Sequence, residues 1–427
     1  MGRIIRTWWP LAASWLLMSV ELPAIAAVIA RLADPEIHLA AYGSVTFPLA
    51  LIIESPIIML LAASTALSKD WASYARLRRF MFISGASLTV LHILIAFTPL
   101  YYVVVNGILG APAEIVEPAR WSLMVMTPWT LSIAYRRFNQ GVLIRFGHSH
   151  AVGQGTVVRL LANVTVLMVS YLIGVIPGAI VGASTASAGV LFEALYIGRS
   201  VRSVVQNQLR KAPVVQPALT FRAMMDFYIP LSLTSLIILV AQPIGSAALS
   251  RMPMALPSLA VWPVIAGMSF FMRSFGIAYN EVVVALLDEP GSVRNLRRFM
   301  WAMSAVTTVV LMLVVLTPLS RFWFERVSAL TPELSDLSER WLWLILPLPA
   351  LSALQSWYQG LILHGRRTRG ITESVLVFLI FNTFLLWAGV AWGQATGLFV
   401  GLAALTVSTF AQTAWLWYRS RPFANLN

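Results

Sequence analysis

The chain of 427 residues contains no cysteine, and its only lysines are Lys69 and Lys211. The missing thiols exclude disulfides and thiolate metal sites. No Gly-rich loop ends in a lysine, so the chain does not hydrolyse ATP by itself. Of the five histidines, His148 and His150 form an H-x-H pair that reads as a solvated loop, and His92 and His364 stand alone. Neither H-E-x-x-H nor G-x-S-x-G occurs, and no enzyme activity, cofactor or metal is expected. Charge is scarce as well. Only 11% of residues are charged against 59% hydrophobic, with a mean hydropathy of +0.78, which excludes a soluble domain and points to membrane-spanning helices.

What the chain does have is an internal repeat. Leu77-Arg78-Arg79-Phe80-Met81 recurs as Leu296-Arg297-Arg298-Phe299-Met300, and Thr98-Pro99-Leu100 recurs as Thr317-Pro318-Leu319, both 219 positions later. The same offset, give or take one, relates Pro10 to Pro230, Pro23 to Pro243, Arg31 to Arg251 and Gln140-Gly141 to Gln359-Gly360. It also relates Gly178 and Gly182 to Gly397 and Gly401. Pro48 is matched with Pro263. Paired prolines at equal depth would let each copy bend.

A bilayer core asks for about 20 apolar residues per helix. Twelve such stretches are expected, near 8–30, 39–66, 80–104, 121–144, 157–176, 179–199, 224–250, 255–286, 299–320, 340–363, 371–391 and 395–418. Six fall in each copy, so the expected fold is an all-α polytopic membrane protein of two parallel six-helix repeats. The predicted bundles are 1–205 and 223–427, joined by a linker at 206–222. Residues 1–31 have a counterpart at 221–251 and are read as the first helix rather than a cleaved leader.

Basic residues sort to one side. With the N-terminus inside, the inner segments hold Arg3, Arg6, Lys69, Arg76, Arg78, Arg79, the group from Arg199 to Arg222, and Arg366, Arg367 and Arg369. The outer segments collect acids such as Asp34, Glu36, Glu114 and Glu117. The positive-inside rule then predicts cytoplasmic termini. The same sorting explains the net charge of +13, so no nucleic-acid partner is expected.

Charges within the predicted helices are the functional candidates, because each costs on the order of 2.5–3.5 kcal/mol on insertion scales unless paired or hydrated. Arg136, Arg137, Arg159 and Arg273 suit carboxylate or phosphate groups, since the guanidinium donates in a fork and stays protonated. Helical spacing puts Arg136 on one face with Asn139 and Gln140, and Arg159 with Asn163. Gln359 is the repeat partner of Gln140. Arg273 and Glu281 are expected on one stripe. Glu21 and Glu54, at mid-helix, are candidate ion-coupling carboxylates together with Glu281, and Gln242 is the polar residue near the matched position of Glu21. The competing structural reading has Arg273, Glu281 and Glu193 fixing helix packing as ion pairs.

The opening Trp9-Pro10-Leu11, the run Ala40-Ala41-Tyr42-Gly43 and the segment His92-Ile93-Leu94-Ile95-Ala96-Phe97 leading to Leu100-Tyr101-Tyr102-Val103-Val104-Val105-Asn106 resemble the progressive ankylosis protein family. The spacing from Pro128 through Gly141-Val142-Leu143 to Val152-Gly153 does so too. That family lies within the multidrug/oligosaccharidyl-lipid/polysaccharide exporter superfamily. The resemblance implies a twelve-helix exporter with a V-shaped central cavity that exports multivalent anions such as citrate, nucleotides or pyrophosphate. Related drug-extruding members carry an acidic coupling residue on helix one, where this chain has Glu21 rather than the usual Asp.

The leading expectation is a monomeric secondary transporter of the bacterial inner membrane, moving a small anionic solute by alternating access with H+ or Na+ as the coupling ion. The alternatives are a multidrug exporter for cations held by Glu21, Glu54 and Glu281, a lipid-linked oligosaccharide flippase, and a scramblase or channel.

Overall fold

Runs of apolar residues broken by Gly, Pro and short polar loops build helices throughout. A computed structural model describes residues 1–287, 292–364 and 369–423, and among these residues no strand occurs. Arg366 and Arg367 lie outside the described residues, as does the His364 side chain. The longer helices in chain order are α1 (Gly2–Ile29), α2 (Pro35–Leu67), α3 (Trp71–Phe97), α4 (Ala113–Val125), α5 (Thr127–Arg145), α6 (Ser149–Ile173) and α7 (Gly178–Asn207). They continue as α8 (Phe221–Leu249), α9 (Ala255–Leu286), α10 (Ser292–Leu316), α11 (Pro332–Leu342), α12 (Leu348–His364), α13 (Arg369–Trp392) and α14 (Gly397–Ser420).

Among the described residues, 10 helices are long and apolar enough to cross a membrane. The other two expected spans, 121–144 and 340–363, are interrupted. The first breaks at Met126 between α4 and α5, and the second passes through a 3-10 turn at Trp343–Ile345 before α12. Both carry polar runs, Arg136-Arg137-Phe138-Asn139-Gln140 and Gln355-Ser356, which dilute their hydropathy.

The duplication is written in the backbone. Asp34 and Met254, 220 apart, begin α2 and α9 in the left-handed region, with φ of 48° and 57°. Gly174 and Gly393, 219 apart, end α6 and α13 with φ of 70° and 65°, a conformation that costs glycine least. Met59 and Ala278, also 219 apart, mark matched breaks within α2 and α9. The offset falls from 220 to 219 along these two helices because α2 contains a π turn at Ala41–Thr46, which takes up one extra residue, whereas α9 runs as regular helix from Ala255 to Ile277. In this register Pro48 stands opposite Gly267, not Pro263 as the sequence pairing had it.

Two compact units divide the chain, Leu32–Pro243 and Met1–Arg31 with Ile244–Asn427. These units do not follow the expected halves 1–205 and 223–427. Within the second unit the α1 indole of Trp8 donates to the Phe275 carbonyl at 3.0 Å and packs edge-on against Phe299 at 5.3 Å. Pro23 lies against Gly267, where an added Cβ would meet its ring at 3.2 Å. Arg31 ties the end of α1 to the Arg326 and Val327 carbonyls at 2.6 and 3.0 Å. Within the first unit Tyr228 of α8 donates to the Pro56 carbonyl and meets Phe80 edge-on at 5.0 Å.

Small residues bring the helices of the first unit close. Gly141 of α5 faces the Leu61 carbonyl and Ser64, and an added Cβ would sit 2.9 Å from the Thr65 nitrogen. The Thr65 hydroxyl contacts Leu61 and Gly141 carbonyls at 2.8 and 3.2 Å. His92 is a core residue. It is fully buried, with Nε2 2.8 Å from the Leu123 carbonyl and Nδ1 3.1 Å from the Thr130 hydroxyl.

Candidate functional site

In the first unit α2, α5, α6 and α7 converge their polar residues on one interior cluster. Glu193 of α7, 1% exposed, is its hub. Arg136 pairs with the Glu193 Oε2, Gln140 Nε2 donates to Oε1 at 2.9 Å, and Arg159 Nε stands 3.8 Å from Oε2. The i to i+4 spacing on α5 places Arg136 and Gln140 on the same face, one turn apart, and both reach the same carboxylate. Asn163 lies one turn from Arg159 on α6, beside Gly189, where an added Cβ would meet Arg159 Cγ at 3.0 Å. Asn139 is buried but turns back to its own helix, donating to the Tyr135 carbonyl at 2.8 Å.

Glu54 is the second buried carboxylate, 3% exposed, and it accepts the indole N–H of Trp129. Both Arg136 and Arg137 lie within electrostatic range of it. Arg137 differs from its neighbours. Its Nε is shielded from solvent and meets no hydrogen-bond partner, and it makes no ion pair among the described residues. It senses Arg136, Glu54, Glu193 and Arg159 only through their fields. The cluster therefore sets Arg136, Arg137 and Arg159 against Glu54 and Glu193, a net positive interior with one guanidinium whose donors are unspent.

The second unit repeats this geometry with different chemistry. At an offset of 219, Gln355 stands for Arg136, Ser356 for Arg137, Gln359 for Gln140 and Gln412 for Glu193. Gln355 Nε2 donates to Gln412 Oε1 at 3.2 Å and to the Thr413 hydroxyl at 3.1 Å, so an amide pair fills the place of the ion pair. Asn280 donates to Gln359 at 3.1 Å. Glu54 is matched by Arg273 across the shared helix break, a reversal of charge at equal depth. Arg273 is half-buried, and its Nε is shielded without a hydrogen-bond partner.

The coupling candidates separate. Glu54 is interior, and Glu21 is half-buried in α1 with a partner of its own. Glu281 and Gln242 are exposed, so neither belongs to a buried polar cluster. The stripe shared by Arg273 and Glu281 is broken at Ala278, where α9 turns and rotates Glu281 away. Counted from the prolines at 23 and 243, Glu21 matches Ala241, not Gln242. Residue-type scanning missed Trp129, Gln355, Ser356 and Gln412, although the 219 offset from Arg136, Arg137 and Glu193 pointed to the last three.

The fold is similar to that of multi-pass transporters of the multidrug/oligosaccharidyl-lipid/polysaccharide (MOP) superfamily. An inward-facing multidrug resistance MATE family transporter of that superfamily aligns with 99% of this chain and 96% of its own, at a TM-score of 0.69 and 13% identity. The lipid II flippase MurJ in an inward closed conformation aligns with 95% of this chain and 87% of its own, at 0.64 and 14%. A MOP transporter from Pyrococcus furiosus, described as having a binding pocket of reverse polarity that suggests a different function, aligns with 98% of this chain and 96% of its own, at 0.58 and 15%. Comparison with curated protein sequences gives no match. The model of the progressive ankylosis protein (ANKH) matches residues 2–258, and the chain belongs to that family.

Proposed function

We propose that the protein is a secondary transporter that exports multivalent organic anions of the citrate, nucleotide or pyrophosphate type by alternating access. The observation that carries this reading is Arg137, a guanidinium inside a net positive cluster with no acceptor of its own. A forked cation held in a low-dielectric interior binds a carboxylate or phosphate far more strongly than it would in water. Arg136 is already paired with Glu193, Arg159 shares that carboxylate at 3.8 Å, and the two serve to position α5, α6 and α7. Arg273 offers the same unspent donors in the second unit. Glu54, held by Trp129, is the carboxylate suited to carry a coupling proton, and Glu21 is the candidate for Na+ or H+ on helix one. A pocket of reversed polarity has a precedent in the Pyrococcus furiosus relative, whose description draws a change of function from it. The sorting of its basic loops supports cytoplasmic termini; a monomer in the bacterial inner membrane is the setting in which we propose it works.

Uptake of labelled citrate and ATP into proteoliposomes tests the reading, with Arg137→Ala, Arg137→Lys and a lipophilic cation in parallel. Saturable anion flux that falls at least tenfold in Arg137→Ala and recovers in part in Arg137→Lys is expected. Flux of the cation alone, indifferent to Arg137, would overturn it and favour a cation exporter working through Glu21 and Glu54.

A further inference from the structure

The first unit has a polar cavity of about 250 Å3 whose lining does not include Glu193, Arg136, Gln140 or Arg159. It lies where the first turns of α3 meet the last turns of α7, over the middle of α5. Arg78, Arg202 and Arg210 line it together with Trp71, Tyr74 and Tyr135. The three arginines are exposed, whereas Tyr74 is 5% exposed and Phe138, at the floor, is fully buried. Charge therefore rings the mouth and aromatic surface forms the bottom.

No carboxylate lines the cavity. None pairs with Arg78, Arg202 or Arg210 among the described residues. Asp70, next to Trp71, is already spent, with its two oxygens accepting the backbone N–H groups of Ser73 and Val215 at 2.8 and 3.0 Å. Two of the arginines are pre-oriented, Arg210 over the Trp71 ring at 4.7 Å and Arg78 over Phe82 at 5.7 Å. Gly198 makes room for the wall, since an added Cβ would meet the Tyr135 ring at 2.6 Å. Three forked cations around one cavity without a counter-charge describe a receptor for a polyanionic oxygen cluster.

We propose that this cavity binds a phosphate group carried on an apolar or aromatic body, with the phosphate on Arg78, Arg202 and Arg210 and the body against Tyr74 and Phe138. Basic loops at this end have an ordinary explanation in membrane topology, and Arg78 and Arg202 do recur as Arg297 and Arg421. The pocket walls do not recur. Phe138 at the floor is matched by Trp357, but Tyr74 and Tyr135 are replaced by Val293 and Leu354, so the second copy keeps two of the charges without the tyrosine walls. The ligand has two sources, an anionic phospholipid headgroup of the adjacent leaflet or a soluble phosphate ester. Binding here is independent of the anion that the protein transports.

Native mass spectrometry of the purified, delipidated full-length protein tests the proposal, using phosphatidylglycerol, phosphatidylcholine and phenyl phosphate as separate probes. The variants are R78Q/R202Q/R210Q, the topological control R297Q/R421Q, and Gly198→Ala, which keeps every arginine but forces Tyr135 into the seat. Wild type and control are expected to retain a phosphate-bearing adduct that the triple variant and Gly198→Ala bind at least tenfold more weakly. Retention of phosphatidylglycerol over phosphatidylcholine identifies a lipid headgroup, and retention of phenyl phosphate identifies a soluble ester. Equal binding of every probe by wild type and Gly198→Ala, or an equal loss in R297Q/R421Q, would overturn it. Anion flux through Arg137, measured on the same preparations, reports separately on the transport reading.

Discussion

Replacing Glu193 with glutamine leaves Arg136 without its ion pair and Arg159 without its nearest carboxylate, in a site where Glu193 is 1% and Arg136 5% exposed. Stranding one buried charge of a pair costs about 3–5 kcal/mol in soluble proteins, and a central arginine costs on the order of 2.5–3.5 on membrane insertion scales, so about 3 kcal/mol is expected for Glu193→Gln. Arg136→Gln is milder, at about 1–2 kcal/mol, because Gln140 at 2.9 Å and Arg159 at 3.8 Å still hold the carboxylate. The double variant recreates the amide pair that the chain itself uses at Gln355 and Gln412, 3.2 Å apart. It still leaves Arg159 without the Glu193 carboxylate and should cost about 1–2 kcal/mol, which leaves a coupling energy of about 3. Equilibrium unfolding of purified protein in mixed micelles reads these values, since 3 kcal/mol is about 150-fold in the unfolding constant. A double variant as unstable as the two singles combined would refute the reasoning, because the residues would then not be acting on each other.

Other outcomes follow from particular contacts. Gly141→Ala pushes a methyl group into the α2 backbone near Leu61 and Thr65, and a melting measurement should show a loss of about 1–3 kcal/mol, whereas Gly153→Ala, with open space around it, should show none. Asp70 caps α3, and the bonds from Ser73 first and Val215 second hold its carboxyl below the usual aspartate range. A depressed folded-state pKa means that the stabilisation is complete above the ordinary value of about 3.9 and fades as pH falls through the depressed one. Asp70→Ala should therefore cost about 1 kcal/mol at pH 7 and little at the lowest pH, with protease cleavage near Val215 rising in step. His92→Phe removes the partner of the buried Leu123 carbonyl, and thermal unfolding should register about 1–3 kcal/mol. Glu54→Gln should leave folding largely intact while flattening the pH dependence of anion flux, and an unchanged pH profile would remove Glu54 from coupling.

The charged interior explains why one repeat of a duplicated fold can diverge without losing its shape. Arg136 with Glu193 and Gln355 with Gln412 bridge corresponding helices, so either pair satisfies the packing. Only the first brings net charge and a strong local field. At this pair the divergence lies in the side chains, whereas the helix breaks at Met59 and Ala278 and the left-handed caps at Asp34 and Met254 recur in both copies, shifted by the one residue that the π turn of α2 takes up.

Hydropathy, the repeat and the sorting of basic loops are properties of local composition and spacing, and for that reason the sequence alone determined the all-helical membrane fold, the duplication, and Arg136, Arg137, Arg159 and Glu54 as interior charges. Spacing on α5 was also enough to put Arg136 beside Gln140, because an α-helix has one geometry. Which charge answers which was decided only by tertiary structure, since Glu193 reaches Arg136 from 57 residues away and Trp129 reaches Glu54 from 75. The same holds for Glu281, which the break at Ala278 rotates to the surface, and for α1, which packs on α9 rather than with the helices that follow it. A helix face is set by its own residues; the surface it meets is set by every other helix at once.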